Sequence, residues 1–207
     1  MKNTIKKQLG FTMAELLVTV AIAAVIVAIG IPMLRVDIQN ARINTVTNDL
    51  VSALMIARSE SIRQNASSCV CPSTTVNNAV PACAANGNWE MGWIAFSDFN
   101  GDCVINGANP SADVLLKVVD GSLYNAQIRV RTGSASINAV NSVRFNSRGE
   151  PFSGGAIQSG IFTINDDRPV NTADAKGNVK TAAAVIVSPS GRSRATRQAS
   201  QITYTLP

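Results

Sequence analysis

Leu16 to Leu34 is a run of nineteen residues without a charge, and it restricts what the rest of the chain can be. As a helix rising about 1.5 Å per residue it spans roughly 28 Å, close to the hydrocarbon thickness of a bilayer. Lys2, Lys6 and Lys7 precede it. Bases on that side predict that the short head stays cytoplasmic and the remainder is exported. A cleaved secretory signal would place a small-residue site after its apolar run. Here Pro32–Met33–Leu34–Arg35 leads directly into more helix-like sequence, so a retained membrane helix is expected. Glu15 stands at the start of the run, and a carboxylate carried into an apolar environment needs a partner.

Gly10 followed by Phe11, Thr12 and Met13, with Glu15 five residues past the glycine and Pro32 further on, resembles the prepilin signature of type IV pilins. The resemblance implies that a prepilin peptidase cuts between Gly10 and Phe11 on the cytoplasmic side and methylates the new amine of Phe11. It implies that Glu15 pairs with the N-terminal amine of a neighbouring pilin during assembly. It also implies a single-pass protein of the bacterial inner membrane, head in the periplasm, that later joins an extracellular pilus. Losing residues 1–10 removes three lysines and takes the side-chain charge from +5 to +2.

Four segments follow: a leader over 1–10, a membrane and filament-core helix over 11–35, an amphipathic continuation over 36–65, and a β-rich head over 66–207. Ile38, Ala41, Val46, Leu50, Leu54, Ala57 and Ile62 recur at helical spacing, with Arg42, Asp49, Arg58 and Glu60 on other faces. One long helix is therefore expected from about 12 to about 65, with Gly30 and Pro32 as its kink point. Residues 66–88, rich in Ser, Asn, Pro and Cys, read as a loop. Short β-type runs come next: Trp89–Ser97, Val114–Val119, Gln127–Thr132, Ser142–Asn146, Gly160–Ile164, Ala183–Ser188 and Gln201–Leu206. Alternation puts Arg129, Arg131 and Arg144 on solvent faces. Residues 166–181 read as another loop. The class is α+β, a helical spine on a small antiparallel sheet; with 46% hydrophobic and 15% charged residues the chain is not a disordered one.

Gly92–Phe96 before an Asp/Asn/Gly turn, Val143–Phe145 before Gly149, and Val185–Ser188 before Gly191–Arg194 resemble the GspH/FimT group of minor pilins and type II secretion pseudopilins. That likeness implies a subunit used sparingly near a filament tip. Its glycine–arginine–any–arginine element is similar to that of FimT minor pilins implicated in DNA uptake during natural transformation.

Cys69, Cys71, Cys83 and Cys103 lie beyond the membrane helix, in an oxidising compartment. Two disulfides are expected. Of three pairings, the one containing Cys69–Cys71 is sterically poor, and the short first spacing argues against zinc. Asp98, Asn100 and Asp102 alternate like the start of a calcium loop, but Cys103 and Asn109 occupy its glycine and glutamate positions. An Asx-stabilised turn is the better reading.

Charge is unevenly placed. Residues 69–127 hold one base against five acids, while 128–207 hold ten bases against four acids. The last twenty residues carry Arg192, Arg194 and Arg197 and no acid. Guanidinium forks two apart on an extended strand match phosphates bidentately. The expected site is Gly191, Arg192, Arg194 and Arg197, widened by Lys176, Lys180, Arg144 and Arg148 where they share its face. Its ligand is DNA, bound through phosphates without sequence preference. The rival reading is a structural tip or priming pilin, or a pseudopilin, that binds no DNA. Histidine is absent, which removes Ser–His–Asp and Cys–His nucleophile systems; no enzyme activity, cofactor or metal is expected.

A peptidase site at Gly10 demands a small residue there. Gly10→Val is expected to leave an uncut precursor in the membrane, read by intact mass. Assembled wild-type fibres whose subunits begin at Met1 would contradict the assignment.

Overall fold

The computed structural model of the chain describes residues 11–84, 88–105, 113–124, 129–132, 142–153, 156–166, 168 and 173–202. One helix, α1 (Met13–Gln64), runs on through Gly30 and Pro32. The chain divides into two units, residues 1–39 and residues 40–207. In the first, Leu16, Val20, Ile26 and Met33 are all exposed. With a mean hydropathy of 2.7 over its best window, α1 is long and apolar enough to cross a membrane.

The second unit is the head. Its core forms where the helix acquires a strict apolar stripe: Ile43, Val46, Leu50, Ala53, Leu54 and Ala57 are fully buried. Their spacing of three and four keeps them on one side of the helix. The expected stripe is shifted at its ends: Ile38, Ala41 and Ile62 are exposed, and Ile43 and Ala53 stand in the core.

Two antiparallel sheets cover this stripe, where a single small one was expected. The first contains β1 (Ser67–Pro72), β2 (Gly92–Asp98), β3 (Leu115–Asp120) and β5 (Val143–Phe145), in the order β3-β2-β1-β5. The second contains β4 (Arg129–Thr132), β8 (Gly160–Asn165), β9 (Ala182–Val187) and β10 (Ser193–Thr196), in the order β10-β9-β8-β4. A short hairpin, β6 (Phe152–Ser153) and β7 (Ala156–Ile157), completes the head. Val70, Trp93 and Ala95 from one sheet and Phe162, Ala183, Val185 and Val187 from the other join the helix stripe in one core. Trp89, on a single 3₁₀ turn rather than the strand expected there, meets Phe162 edge-on at 5.0 Å.

The reading of 66–88 as a loop fails over β1, which lies inside its sheet. Its small polar residues conceal alternation. Ser68 and Val70 face the helix, where the Ser68 hydroxyl donates to the Ala57 carbonyl at 2.7 Å. Cys69 and Cys71 pack with Ile94 and Phe96 in a second cluster. The chain pairs Cys69 with Cys103 and Cys71 with Cys83. Of the expected strand Gln201–Leu206, Gln201 ends a 3₁₀ turn (Ala199–Gln201), and 203–206 lie outside the described residues.

The expected Asx turn forms after β2. Asp98 is fully buried and accepts from the amides of Gly101 at 2.8 Å, Cys103 at 2.9 Å and Asp102 at 3.1 Å. Burial pushes its carboxyl above the ordinary range, and those amides and the Arg144 charge pull it back. Arg144 is therefore not on a solvent face: its Nε lies 3.8 Å from Asp98, and its guanidinium stacks on Phe152 at 5.4 Å. A carboxylate with three amide donors is attractive enough to hold it there. The side chains of Arg129 and Arg131 lie outside the described residues.

Asp98→Ala strips acceptors from buried amides and leaves Arg144 unpaired, so a loss of about 2–4 kcal/mol is expected in urea unfolding. Asp98→Asn should cost less, because one oxygen remains. Equal stability of wild type and Asp98→Ala would refute the role.

Candidate nucleic-acid interface

The glycine–arginine element sits in the connection between β9 and β10. The Gly191 amide donates to the Ser188 carbonyl at 2.8 Å, and the Ser188 amide donates to the Arg192 carbonyl at 2.9 Å. Ser188–Pro189–Ser190–Gly191 thus closes as a tight turn ending on a glycine at φ 77°. Proline in the second position and a left-handed glycine in the last are what such a hairpin loop requires. The Ser188 hydroxyl accepts the Arg192 amide at 3.1 Å.

A second hairpin tip has the same pattern. The Gly149 amide donates to Asn146 at 2.8 Å, the Asn146 amide to Glu150 at 3.0 Å, and Gly149 has φ 73°. The two tips meet. A Cβ on Gly191 would collide with the Gly149 carbonyl oxygen and come within 2.7 Å of Arg58 Nε. Arg58, on α1, holds both tips: its Nε donates to the Gly149 carbonyl and its Nη2 to the Ser190 carbonyl, each at 3.0 Å. Helical periodicity puts Arg58 on a face other than the apolar stripe and assigns it no role. Its partners lie 91 and 132 positions away, and no local signal connects them.

Arg192 and Arg194 come together, both lining one groove beside the helix, and both are exposed. Arg194 makes one neutral contact, to Gln201 Oε1 at 2.9 Å. Arg197 is placed differently. Its guanidinium donates to the carbonyls of Val179 at 3.2 Å and Lys180 at 2.5 Å, and to Asn44 Oδ1 at 2.6 Å. Burial and the nearby Arg168 charge lower its pKa from the usual arginine range. Those donors close the head against the helix.

The lesser candidates divide. Arg148 stands on the second tip, largely exposed, with its Nε 3.0 Å from Glu150. The Asn146 side-chain amide first, and then Arg148, hold the Glu150 carboxyl below its ordinary range. Lys176 and Lys180 lie at the far end of β10, in and beside a turn built on Asp174 and joined to it where Val179 donates to the Arg197 carbonyl. Arg144 faces buried Asp98 instead.

At the other end of the chain Phe11 is exposed, and Gly10 lies outside the described residues. Glu15 accepts from the amide and hydroxyl of Thr12 at 2.9 and 3.0 Å, while the Thr12 hydroxyl accepts the Glu15 amide at 3.2 Å. This reciprocal pair starts α1. Thr-x-x-Glu before an apolar run was the signal for it.

A family model described as type II transport protein GspH matches residues 46–191. A prokaryotic N-terminal methylation motif matches residues 5–31. Two crystal structures of the type IV minor pilin FimU of Pseudomonas aeruginosa are similar at 16% identity. One covers 76% of this chain and 89% of its own at a TM-score of 0.46, the other 74% and 91% at 0.45. Among curated proteins none matches the chain.

The clamp makes a local prediction. Arg58→Ala leaves two tip carbonyls without donors and should cost about 1–2 kcal/mol. Gly191→Ala adds a collision to an unfavourable φ and should cost more. Hydrogen exchange is expected to accelerate at both tips, 146–150 and 188–192, and not along β1 and β2. Acceleration at one tip alone would show that they are not coupled.

Proposed function

Since the chain belongs to the GspH family of pilin-like proteins, we propose that it is a minor type IV pilin that binds extracellular DNA for uptake, using the β9–β10 tip. The observation that carries this reading is the placement of Arg192 and Arg194 in one groove, directly after a turn fixed by Gly191 and the Arg58 hydrogen bond. A fixed backbone sets where the two guanidinium groups emerge, so less freedom is lost when they meet phosphates. Each contact releases condensed counterions, and pilus retraction draws the strand inward. Arg148 extends the surface from the neighbouring tip. Arg197 is left out, because its donors already serve Val179, Lys180 and Asn44.

The methylation motif implies a prepilin peptidase and other pilins as partners, and the apolar helix implies a membrane anchor. In the proposed sequence of events the peptidase cuts between Gly10 and Phe11, and the methylated Phe11 amine meets Glu15 of an adjoining pilin. The head then passes from the periplasmic side of the inner membrane into the fibre. The family description itself favours a second reading, a type II secretion pseudopilin whose arginine tip contacts no DNA.

DNA titration of the full chain in zwitterionic nanodiscs separates the two. Two phosphate contacts predict a log K against log salt slope of about −1.8 on duplex, with micromolar or weaker affinity at physiological salt. Arg192→Gln and Arg194→Gln should each flatten the slope by about 0.9 on any sequence. Arg197→Gln should leave the slope alone and lower stability. Unchanged binding in the Arg192→Gln/Arg194→Gln double variant would favour the pseudopilin.

A further inference from the structure

Arg58, Ser59 and Ile62 follow Met55 at three, four and seven residues, and the four therefore form one stripe of α1. Between that stripe and Gly191–Arg194 lies a groove of about 530 Å³. The volume is within the range of pockets that hold a small organic molecule, about 300–1,000 Å³. Its floor is apolar: Met55 is 57% exposed and Ile62 49% exposed. A surface that met only sugar and phosphate would have no use for two large apolar side chains in the groove that its arginines line.

Charge complementarity selects what can lie there. Arg192 and Arg194 wall the groove, and the helix carboxylate nearest in sequence, Glu60, is bound to Arg63. Glu150, on the neighbouring tip, is bound to Arg148. The occupant is therefore anionic, with a flat or apolar part that reaches the floor. Duplex DNA satisfies only half of this, because its phosphates face outward and its bases are stacked inside. An unpaired nucleotide satisfies both.

We infer that the groove holds the base of an unpaired nucleotide on Met55 and Ile62 while its flanking phosphates lie on Arg192 and Arg194, so that the tip prefers single-stranded to duplex DNA. This rests on the DNA-binding reading above. A thioether packs well against the face of an aromatic ring. Arg58 spends its Nε and one terminal nitrogen on the tip carbonyls. Neither Met55 nor Ile62 donates a hydrogen bond, so these two side chains do not distinguish one base from another. The preference is thus for strandedness, not sequence.

Fluorescence anisotropy of the full chain in zwitterionic nanodiscs tests it, with a twelve-nucleotide oligothymidine and a twelve-base-pair duplex at matched salt. The wild type should bind the single strand about fivefold more tightly, a difference on the scale of one buried methylene group. Met55→Gln, neutral and at an exposed position, should abolish that difference by weakening single-strand binding more than duplex binding, whereas Met55→Leu should retain it. Equal binding of both forms by the wild type, or equal weakening of both by Met55→Gln, overturns the inference and leaves the DNA reading standing. Binding of neither form overturns both. Displacement of the oligonucleotide by a leucine-containing polyglutamate peptide of equal charge at lower concentration assigns the groove to a protein partner and overturns the inference.

Discussion

Everything in the head is arranged around burial of the helix stripe from Ile43 to Ala57. Six fully buried side chains on one face of α1 meet residues from two separate sheets, so neither sheet has an independent core on that side. Each side chain withdrawn from water contributes on the order of 1.5–3 kcal/mol for the larger aliphatics and less for alanine. The alanines matter by being small. Ala53 and Ala57 leave room for Ser68 to reach the Ala57 carbonyl and for the indole of Trp93 to lie against the same core.

Polar contacts at the stripe's borders then set the sheets on the helix. Asp49 accepts from Lys117 at 3.1 Å and from the Tyr124 hydroxyl at 2.6 Å, tying the first sheet's edge to α1. Asn44 and Arg58 do the same for the second sheet, through Arg197 and the hairpin tips. The arginine tip is thereby attached to the least deformable element in the head. Its exposed cations gain little from folding, and their positions follow from groups that do.

What was legible beforehand divides by the range of the interaction. The long helix, the prepilin-like start and six of the seven β runs showed themselves through periodicity or local motif. The turn at Asp98 did too, because an Asx side chain acts within a few residues. Strand β1 was hidden because Ser68, Cys69 and Cys71 are poor markers of alternation, and their burial depends on Ala57 and on the cysteine pairings. Ile62 continued a helical period and still emerged at the surface, since the sheets end short of it. The difference between Arg194 and Arg197 was likewise invisible: three residues apart in one basic tail, one points into a groove and the other into the Val179 and Lys180 carbonyls.

The cysteines occupy the face of the first sheet that the helix does not reach. Cys69 and Cys71, alternating with Val70, join Ile94 and Phe96 there, and their bridges span 34 and 12 residues of chain. On that side the cover is loop rather than helix, and loops of those lengths lose several kcal/mol less entropy on ordering once cross-linked. The two faces of that sheet are thus secured by different means: burial against the helix on one side, and covalent cross-links through the covering loops on the other.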